Sequence, residues 1–242
     1  MRDQTTVLQT CPPHLGFRIE NRELIRAEEE FKHLSWVDLH EIIGEAVHIY
    51  FLCYTRAYPI LLNPKANRMF LHIATNNLDA LVRTPSENVR YQEWGAQARR
   101  DYGSVMNYLI RERFPKAWGK TAPFAPKSKV PFQDPSDYSV LLNHWPYALE
   151  PGIVHLVVWS RTPMAVDTEK GDLLPESRRL VNDFVRRFFV ERLGDRGADK
   201  VLWFKNWVAL QSVRALDHVH VLVKDVDLDI IQEWSRVLDC HR

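Results

Sequence analysis

Three β-rich runs with one amphipathic helix pattern between them restrict the fold of this chain more than any other feature. The runs "GIVHLVVWSR", "DKVLWFKNW" and "DHVHVLVKD" are rich in β-branched and aromatic residues, which favours strands. Between the first two runs, "LLPESRRLVNDFVRRFFVERLG" has apolar residues at helical spacing and ends at Gly194. A terminal helix is predicted over "LDIIQEWSRVLDC". This order predicts an α+β domain with an antiparallel sheet.

The N-terminal half shows helical patterns instead of β-rich runs. We predict a loose arm over residues 1–20, a mostly helical region over 21–133 and the α+β domain over 134–242. The helical region ends in "PKAWGKTAPFAPKSKVPFQ", a proline- and lysine-rich stretch that we interpret as a linker. Its lysines are expected to form a solvated face.

Capping residues indicate where the N-terminal helices begin and end. Ser35 followed by Asp38 resembles a capping box with Asp in the place of Glu. Thr84-Pro85 predicts the start of another helix, and Gly103-Ser104 predicts an interruption of it.

Residues 44–73 do not fit the sequence around them. This segment is apolar, aperiodic and rich in aromatic residues, and its removal joins "DLHEII" to "ATNNLDALVR" in one amphipathic pattern. Gly44-Glu45 and Ile73-Ala74 can be encoded by the two ends of a fungal-type intron. We therefore hypothesise a retained intron, with a genuine insertion as the alternative, and assign this segment no function.

Composition excludes several classes of protein. The 32 basic residues against 31 acidic ones leave no excess positive field for a dedicated nucleic-acid backbone binder. Cys11, Cys53 and Cys240 lie far apart with no CxxC spacing, which is typical of a reducing compartment. The N-terminus lacks a signal-peptide pattern, and the best apolar run is interrupted by Arg56 and Pro59. We expect a cytoplasmic protein without membrane or nucleic-acid partners.

The stretch "DHVHVLV" contains the strongest candidate functional residues. In a strand, side chains i and i+2 share a face, so His218 and His220 point the same way. One strand histidine is more often a packed residue than a catalyst. Together with His155 in the first β-rich run, the pair supplies three nitrogens that suit zinc with water in the fourth position. Two histidines on one strand face can bind phosphate as readily as they bind a metal. A divalent metal cofactor is therefore one of two alternatives that the sequence leaves open.

A set of short segments resembles the histidine-triad superfamily of nucleotide hydrolases and transferases. "NHWPY", "HLVVWSR", "FKNW", "QSV" and "HVHVLV" occur in that superfamily's order over about residues 138–225. The resemblance implies that His218 attacks the α-phosphate and forms a covalent nucleotidyl intermediate. It also implies that His220 orients the phosphate or the leaving group and that His155 completes the cluster. The sequence departs from the pattern at Leu216, which stands where the first histidine is expected.

The same resemblance implies a set of substrate-binding residues. Neutral side chains donate to phosphate oxygens or hold the nucleophile, and cations offset developing phosphoryl charge. The residues implied are Asn143, Trp145, Arg161, Lys205, Asn206, Gln211 and Ser212. Two of these residues also have a purely structural interpretation, because Asn143 can begin a turn and Trp145 can be a core residue.

The whole chain is also similar to the fungal N-acetylglucosamine-induced protein family. The segments "RYQEW", "YGSVMNYLIRERF", "NHWPYALEPGIVHLVVWSR" and "WFKNWVALQSVRALDHVHVLV" carry this resemblance. It implies a fungal source and a link to amino-sugar metabolism or its regulation, without an established reaction.

Three functions follow as hypotheses. The first is a histidine-triad-like hydrolase or transferase acting on a nucleotide or nucleotide-linked substrate, such as a nucleotide sugar, through His218. The second is a non-catalytic ligand-binding or regulatory protein linked to the amino-sugar response, and the third is a histidine-ligated metalloenzyme. The expected partner is a small-molecule ligand that is phosphorylated. Catalytic activity and oligomeric state are left open by the sequence.

Overall fold

A computed structural model describes residues 22–43, 77–169 and 171–235 of the chain. The predicted arm over 1–20, the proposed insertion over 44–73 and the three cysteines lie outside these described residues. Within the described ranges, no helix combines the length and the apolar composition needed to cross a membrane.

Four strands form one antiparallel sheet in the spatial order β1-β2-β4-β3. They are β1 (Tyr138–Leu142), β2 (Ile153–Ser160), β3 (Val201–Phe204) and β4 (Asp217–Lys224). The predicted α+β class and the predictions of β2, β3 and β4 are confirmed. Strand β1 was not predicted, because its five residues are too few to show a clear period.

The helices precede, connect and follow these strands. They are α1 (Arg22–Glu29), α2 (Trp36–Ile43), α3 (Pro85–Tyr102), α4 (Val105–Glu112), α5 (Pro175–Val185) and α6 (Leu228–Ser235). After α5 the chain continues through one π-helical turn over Arg186–Val190 and 3-10 turns over Glu191–Lys200. The positive φ of Gly194, 74°, interrupts this last segment, where sequence analysis placed the end of the helix.

The predicted helix ends are confirmed by the capping contacts. Ser35 N donates to Asp38 Oδ2 (2.9 Å) and Asp38 N donates to Ser35 Oγ (3.2 Å), which is a reciprocal capping box at the start of α2. Thr84 Oγ1 accepts from the backbone of Glu87 (3.3 Å) at the start of α3. Gly103 ends that helix with φ 80°, and Ser104 then caps α4.

One face of the sheet is largely apolar, with Ser160 and Asp217 at one end, and packs on the two C-terminal helices. Val158, Val219 and Val221 contact α5 and α6 through a cluster that includes Phe189 and Ile231, and all five side chains are fully buried. Each such side chain stabilises the fold by roughly 1.5–3 kcal/mol through removal from water. Because side chains alternate along a strand, the packing of this face places the remaining residues of β2 and β4 on the opposite face of the sheet.

The opposite face, here called the histidine face, carries His155, Val157 and Trp159 of β2 and His218, His220 and Leu222 of β4. Two apolar clusters flank the histidines. One packs α2 and residues 78–81 onto Leu222 and its neighbours, and the other packs α4 and residues 114–124 onto Trp159 and its neighbours. The histidine face is therefore covered by the N-terminal half of the chain.

The stretch interpreted as a linker contributes to this cover. Trp118 and Phe124 are 6% and 7% exposed and pack in the same cluster as Trp159, whereas Lys116 and Lys120 are exposed as expected. The domain boundary near residue 133 stays a prediction.

The N-terminal helical region is also joined to the sheet domain by backbone hydrogen bonds. Leu34 N donates to Ala148 O (2.8 Å), and Glu150 N donates to Leu34 O (3.0 Å). At the far end of α2, Asn77 N donates to Ile42 O (3.1 Å), so the chain comes back to the point at which that helix ends.

Asp137 holds the linker stretch to both neighbouring strands. Its carboxylate, which is fully buried, accepts from the backbone of Lys127 (2.9 Å) and Ser128 (2.8 Å) and forms an ion pair with Arg161. These hydrogen bonds and the ion pair lower the pKa of this carboxyl despite its burial, which alone would raise the pKa.

Asp137→Ala should reduce the free energy of unfolding by about 3–5 kcal/mol, because it leaves a buried guanidinium and two backbone N–H groups without their acceptor. Urea denaturation with a common m-value measures the change. Asp195→Ala, at an exposed position, is the control and should stay within about 0.5 kcal/mol of wild type. An equal effect of the two substitutions would contradict this role for Asp137.

Candidate functional site

His218 lies on β4 with one ring nitrogen held by the backbone. It is 5% exposed, packs against Trp159 at 4.3 Å between ring centroids, and Nδ1 lies 3.0 Å from Leu216 O. Because a carbonyl oxygen only accepts, Nδ1 carries the proton, and the neutral ring keeps a lone pair on Nε2. Burial lowers the pKa of His218 to about 4, against the hydrogen bond to Leu216, so the ring is neutral at pH 7.

His220 and His155 form a buried row behind His218. Asn206 Nδ2 donates to His220 Nε2 (3.3 Å), which leaves the Nδ1–H of His220 to donate to His155 Nε2 (2.9 Å). Burial lowers the pKa of His220 well below 6.5 and that of His155 to about 3, and the nearby Arg83 lowers both further. Both rings are therefore neutral, and each is held in one orientation.

Aromatic side chains enclose this row. Tyr147 stacks on His155 at 5.3 Å, and its hydroxyl accepts from Asn206 Nδ2 (3.1 Å). Phe204 lies parallel to His220 at 4.8 Å. His155 has no exposed surface, and it supports His220 from behind through their shared hydrogen bond.

The loop after β1 is held against this row. Asn143 N donates to His155 O (2.9 Å), and Asn143 Oδ1 accepts from Trp145 N (3.0 Å). The next residue, His144, contacts the guanidinium of Arg113, and burial followed by this charge lowers the pKa of His144 to about 4. Asn143 thus stabilises the conformation of the loop that follows β1 and fixes this loop to β2.

A cleft with a volume of about 100 Å³ lies in front of His218 and opens to solvent. Of the residues proposed from sequence, His218, His220, Asn143, Trp145 and Ser212 line it. The structure brings these five together from β4, from the loop after β1 and from the segment before β4.

The helical region supplies the opposite wall of the cleft, which sequence analysis did not find. Tyr91 and Trp94 come from α3, Tyr108 from α4, Arg113 from the end of α4, and Arg83 from the segment before α3. Trp94 packs on Trp145 at 5.5 Å. Four of these residues, Tyr91, Trp94, Tyr108 and Arg113, lie in segments that carry the family resemblance, but no motif within those segments marks a binding residue.

The remaining proposed residues have other partners and do not line the cleft. Lys205 forms an ion pair with Asp217 (3.2 Å), Arg161 pairs with Asp137, and Gln211 Nε2 donates to Asn206 O (2.7 Å). Gln211 and Asn206 thereby act as supports for His220.

The histidines are not arranged as metal ligands. Across the described ranges, no group of three or more His, Cys, Asp or Glu side chains is placed to hold a metal ion. His155 Nε2 and His220 Nδ1 share one hydrogen bond, and His218 Nδ1 is used by Leu216, so these nitrogens do not converge on a common point. This geometry does not fit the metalloenzyme hypothesis.

Comparison with known proteins identifies the family. Residues 67–224 match the family described as "Protein of unknown function (DUF3605)", and the chain belongs to this family. It is 29% identical to N-acetylglucosamine-induced protein 1 of Candida albicans over 66% of this chain and 68% of that protein. It is also 29% identical to the uncharacterized protein YPL067C of Saccharomyces cerevisiae, over 62% of this chain and 74% of that protein. The predicted membership in the fungal N-acetylglucosamine-induced family is confirmed.

A solved structure is also similar. The crystal structure of HTC1 matches with a TM-score of 0.49 and 23% identity, covering 74% of this chain and 95% of that one.

The lowered histidine pKa values predict acid sensitivity. His144, His155, His218 and His220 are neutral in the fold, while in the unfolded chain each takes up a proton near pH 6.5. Their contribution to stability is thus complete above pH 6.5 and is lost as the pH falls toward the lower pKa values of the folded state, which are about 4 for His144 and His218 and about 3 for His155. Each histidine adds a slope approaching about 1.4 kcal/mol per pH unit.

Urea denaturation between pH 7.5 and pH 5 measures this loss above the range in which carboxylates titrate. His155→Gln should flatten the slope, and His33→Gln, at an exposed position, should not. A free energy of unfolding that stays constant down to pH 5 would show that the four rings are not buried in neutral form.

Proposed function

We propose that this protein is a histidine-triad-like hydrolase or transferase that acts on a nucleotide or nucleotide-linked phosphate ester, with His218 as the nucleophile. One observation carries the proposal. The His218 Nδ1–H is held by the Leu216 carbonyl oxygen, so the neutral ring keeps a lone pair on Nε2, and His218 lines the cleft. The order of the surrounding segments, which resembles the histidine-triad superfamily, supports the same assignment.

The departure at Leu216 does not remove the group that orients His218. The backbone carbonyl of Leu216 makes the contact, while its side chain is 7% exposed and packs in the apolar cluster around Trp159. A histidine side chain is therefore unnecessary at this position for fixing the tautomer of His218.

The reaction has two displacements. Nε2 attacks the phosphorus, the P–N bond forms, and the P–O bond to the leaving group breaks with its electron pair on the departing oxygen. The Nδ1–H remains hydrogen-bonded to Leu216 O, and this hydrogen bond stabilises the positive charge of the substituted ring. Water or another hydroxyl then attacks the phosphorus, the P–N bond breaks, its electron pair returns to Nε2, and the proton of the attacking group passes to solvent.

The other residues of the cleft position the substrate. Ser212 and Asn143 offer neutral donors, and Trp145 with the helical aromatic side chains offers an apolar wall for a base or sugar. His220, His155 and Asn206 hold the floor of the cleft behind His218. The ligand in this proposal is a small phosphorylated molecule, and the name of the Candida albicans relative makes an amino-sugar context reasonable.

One observation favours a second candidate, a binding or regulatory protein without turnover. Among the described residues, the side chains that line the cleft include no carboxylic acid, and the histidines of this lining have lowered pKa values. A leaving group that needs a proton would not obtain one from a carboxylic acid or an imidazolium of this lining. This candidate predicts ligand binding without release of product.

The p-nitrophenyl ester of thymidine 5′-monophosphate separates the two candidates. Wild type should release p-nitrophenol, a leaving group that needs no protonation, and gain the mass of a thymidylyl group after rapid quenching. His218→Ala should lose at least about a thousandfold in kcat/KM and show no mass gain, because the nucleophile is gone. His33→Ala is the matched control. Full turnover in His218→Ala excludes the covalent mechanism, and binding without turnover in wild type favours the second candidate.

Leu216→Met tests whether the backbone alone orients His218. This substitution keeps the carbonyl and nearly the same volume, so it should cost less than about 1.5 kcal/mol of stability. Turnover of the same ester should stay within about threefold of wild type. A loss as large as that of His218→Ala would mean that the side chain at 216 takes part in the reaction.

A further inference from the structure

We infer that Arg83 and Arg113 form an anion subsite in the cleft that binds a second phosphoryl group, so that the substrate is linked through pyrophosphate. This inference rests on the proposed function for the position of the first phosphorus, which His218 attacks. The anion subsite itself is built by the helical region, outside the segments that resemble the histidine triad.

Arg113 is a cation in a buried setting with neutral partners. Its guanidinium donates to Leu142 O (3.1 Å) and contacts the ring of His144, which is neutral at pH 7. Burial lowers its pKa, and within the part of the chain that the structure describes it forms no ion pair with a carboxylate. A guanidinium in such a place gains much more from an anion than one on the surface does.

Arg83 has the same kind of surroundings. Nε and Nη2 donate to Trp145 O (3.2 and 3.0 Å), and the guanidinium stacks on Tyr91 at 4.1 Å from its ring centre. Among the described residues it too lacks a carboxylate partner. Both arginines therefore hold the loop 142–145 through neutral acceptors, and no carboxylate of the described ranges pairs with either charge.

The lining of the cleft is one-sided in charge. It includes both arginines and, among the described residues, neither Asp nor Glu, while its histidines are neutral. The indole N–H of Trp145, which also lines the cleft, is buried without a partner in the described ranges. A guanidinium pair with further N–H donors is the arrangement that phosphate oxygens prefer.

A second phosphoryl group also explains how the reaction proceeds without an acid. When Nε2 attacks one phosphorus of a pyrophosphate link, the bond that breaks joins that phosphorus to the bridging oxygen. The bridging oxygen leaves with its electron pair as part of a phosphate, which is stable as an anion and needs no proton. Arg83 and Arg113 would stabilise the charge that develops on this phosphate.

Binding of inorganic pyrophosphate and of inorganic phosphate to the full chain, measured by calorimetry, tests the inference. Wild type should bind pyrophosphate at least about tenfold more tightly than phosphate. Arg113→Gln and Arg83→Gln should each weaken pyrophosphate binding by about tenfold to a hundredfold, the loss of one charge-assisted contact. Arg99→Gln, at an exposed position on α3, is the matched control and should stay within about twofold.

A further variant and the ester assay distinguish failure of the anion subsite from failure of the proposed nucleophile. Arg113→Lys retains the charge and should bind pyrophosphate more tightly than Arg113→Gln, with circular dichroism confirming that each variant is folded. Equal affinity for the two anions in wild type, or unchanged affinity in both Gln variants, overturns the anion subsite. Failure of the p-nitrophenyl ester to react overturns the proposed nucleophile instead, because pyrophosphate binding does not depend on turnover.

Discussion

The pairing of β2 with β4 is the constraint on which the rest of the structure depends. Its register sets Trp159 opposite His218 and Val157 opposite His220, while the alternate residues of both strands pack on α5 and α6. A slip by one residue would turn both histidines into that apolar core. Burial on both faces therefore fixes the register, and the register fixes the place of the imidazole rings.

The chemistry of the histidine face follows from burial more than from charge. Desolvation is the largest cause of each lowered histidine pKa, and it keeps the rings neutral so that one nitrogen of each ring can accept a hydrogen bond or, in His218, attack an electrophile. Among the described residues that line the cleft, the positive charges are Arg83 and Arg113 of the helical region. The helical region is thus part of the candidate site, since it supplies the cations of the cleft lining.

Local patterns explain which parts could be predicted from sequence. The period of two in "HVHVLV" is enough to place His218 and His220 on one face, and caps such as Ser35 with Asp38 are complete within one turn. The partners of a buried cation, in contrast, can come from distant parts of the sequence. Arg161 forms an ion pair with an aspartate 24 residues away, and Arg113 contacts a histidine 31 residues away. Neither contact could be predicted from the spacing of residues in the sequence. The ordered set of segments identified most of the cleft floor and none of its helical wall.

The hydrogen bond between Asn77 and Ile42 ties the segment that leads to Arg83 to the end of α2. Leu78 and Leu81 of that segment pack with α2 in the cluster around Leu222, at the edge of the histidine face. A shift of α2 on the sheet would therefore move the Arg83 guanidinium relative to His218. The packing of one short helix thus sets the distance between a cation from the helical region and an imidazole on the sheet.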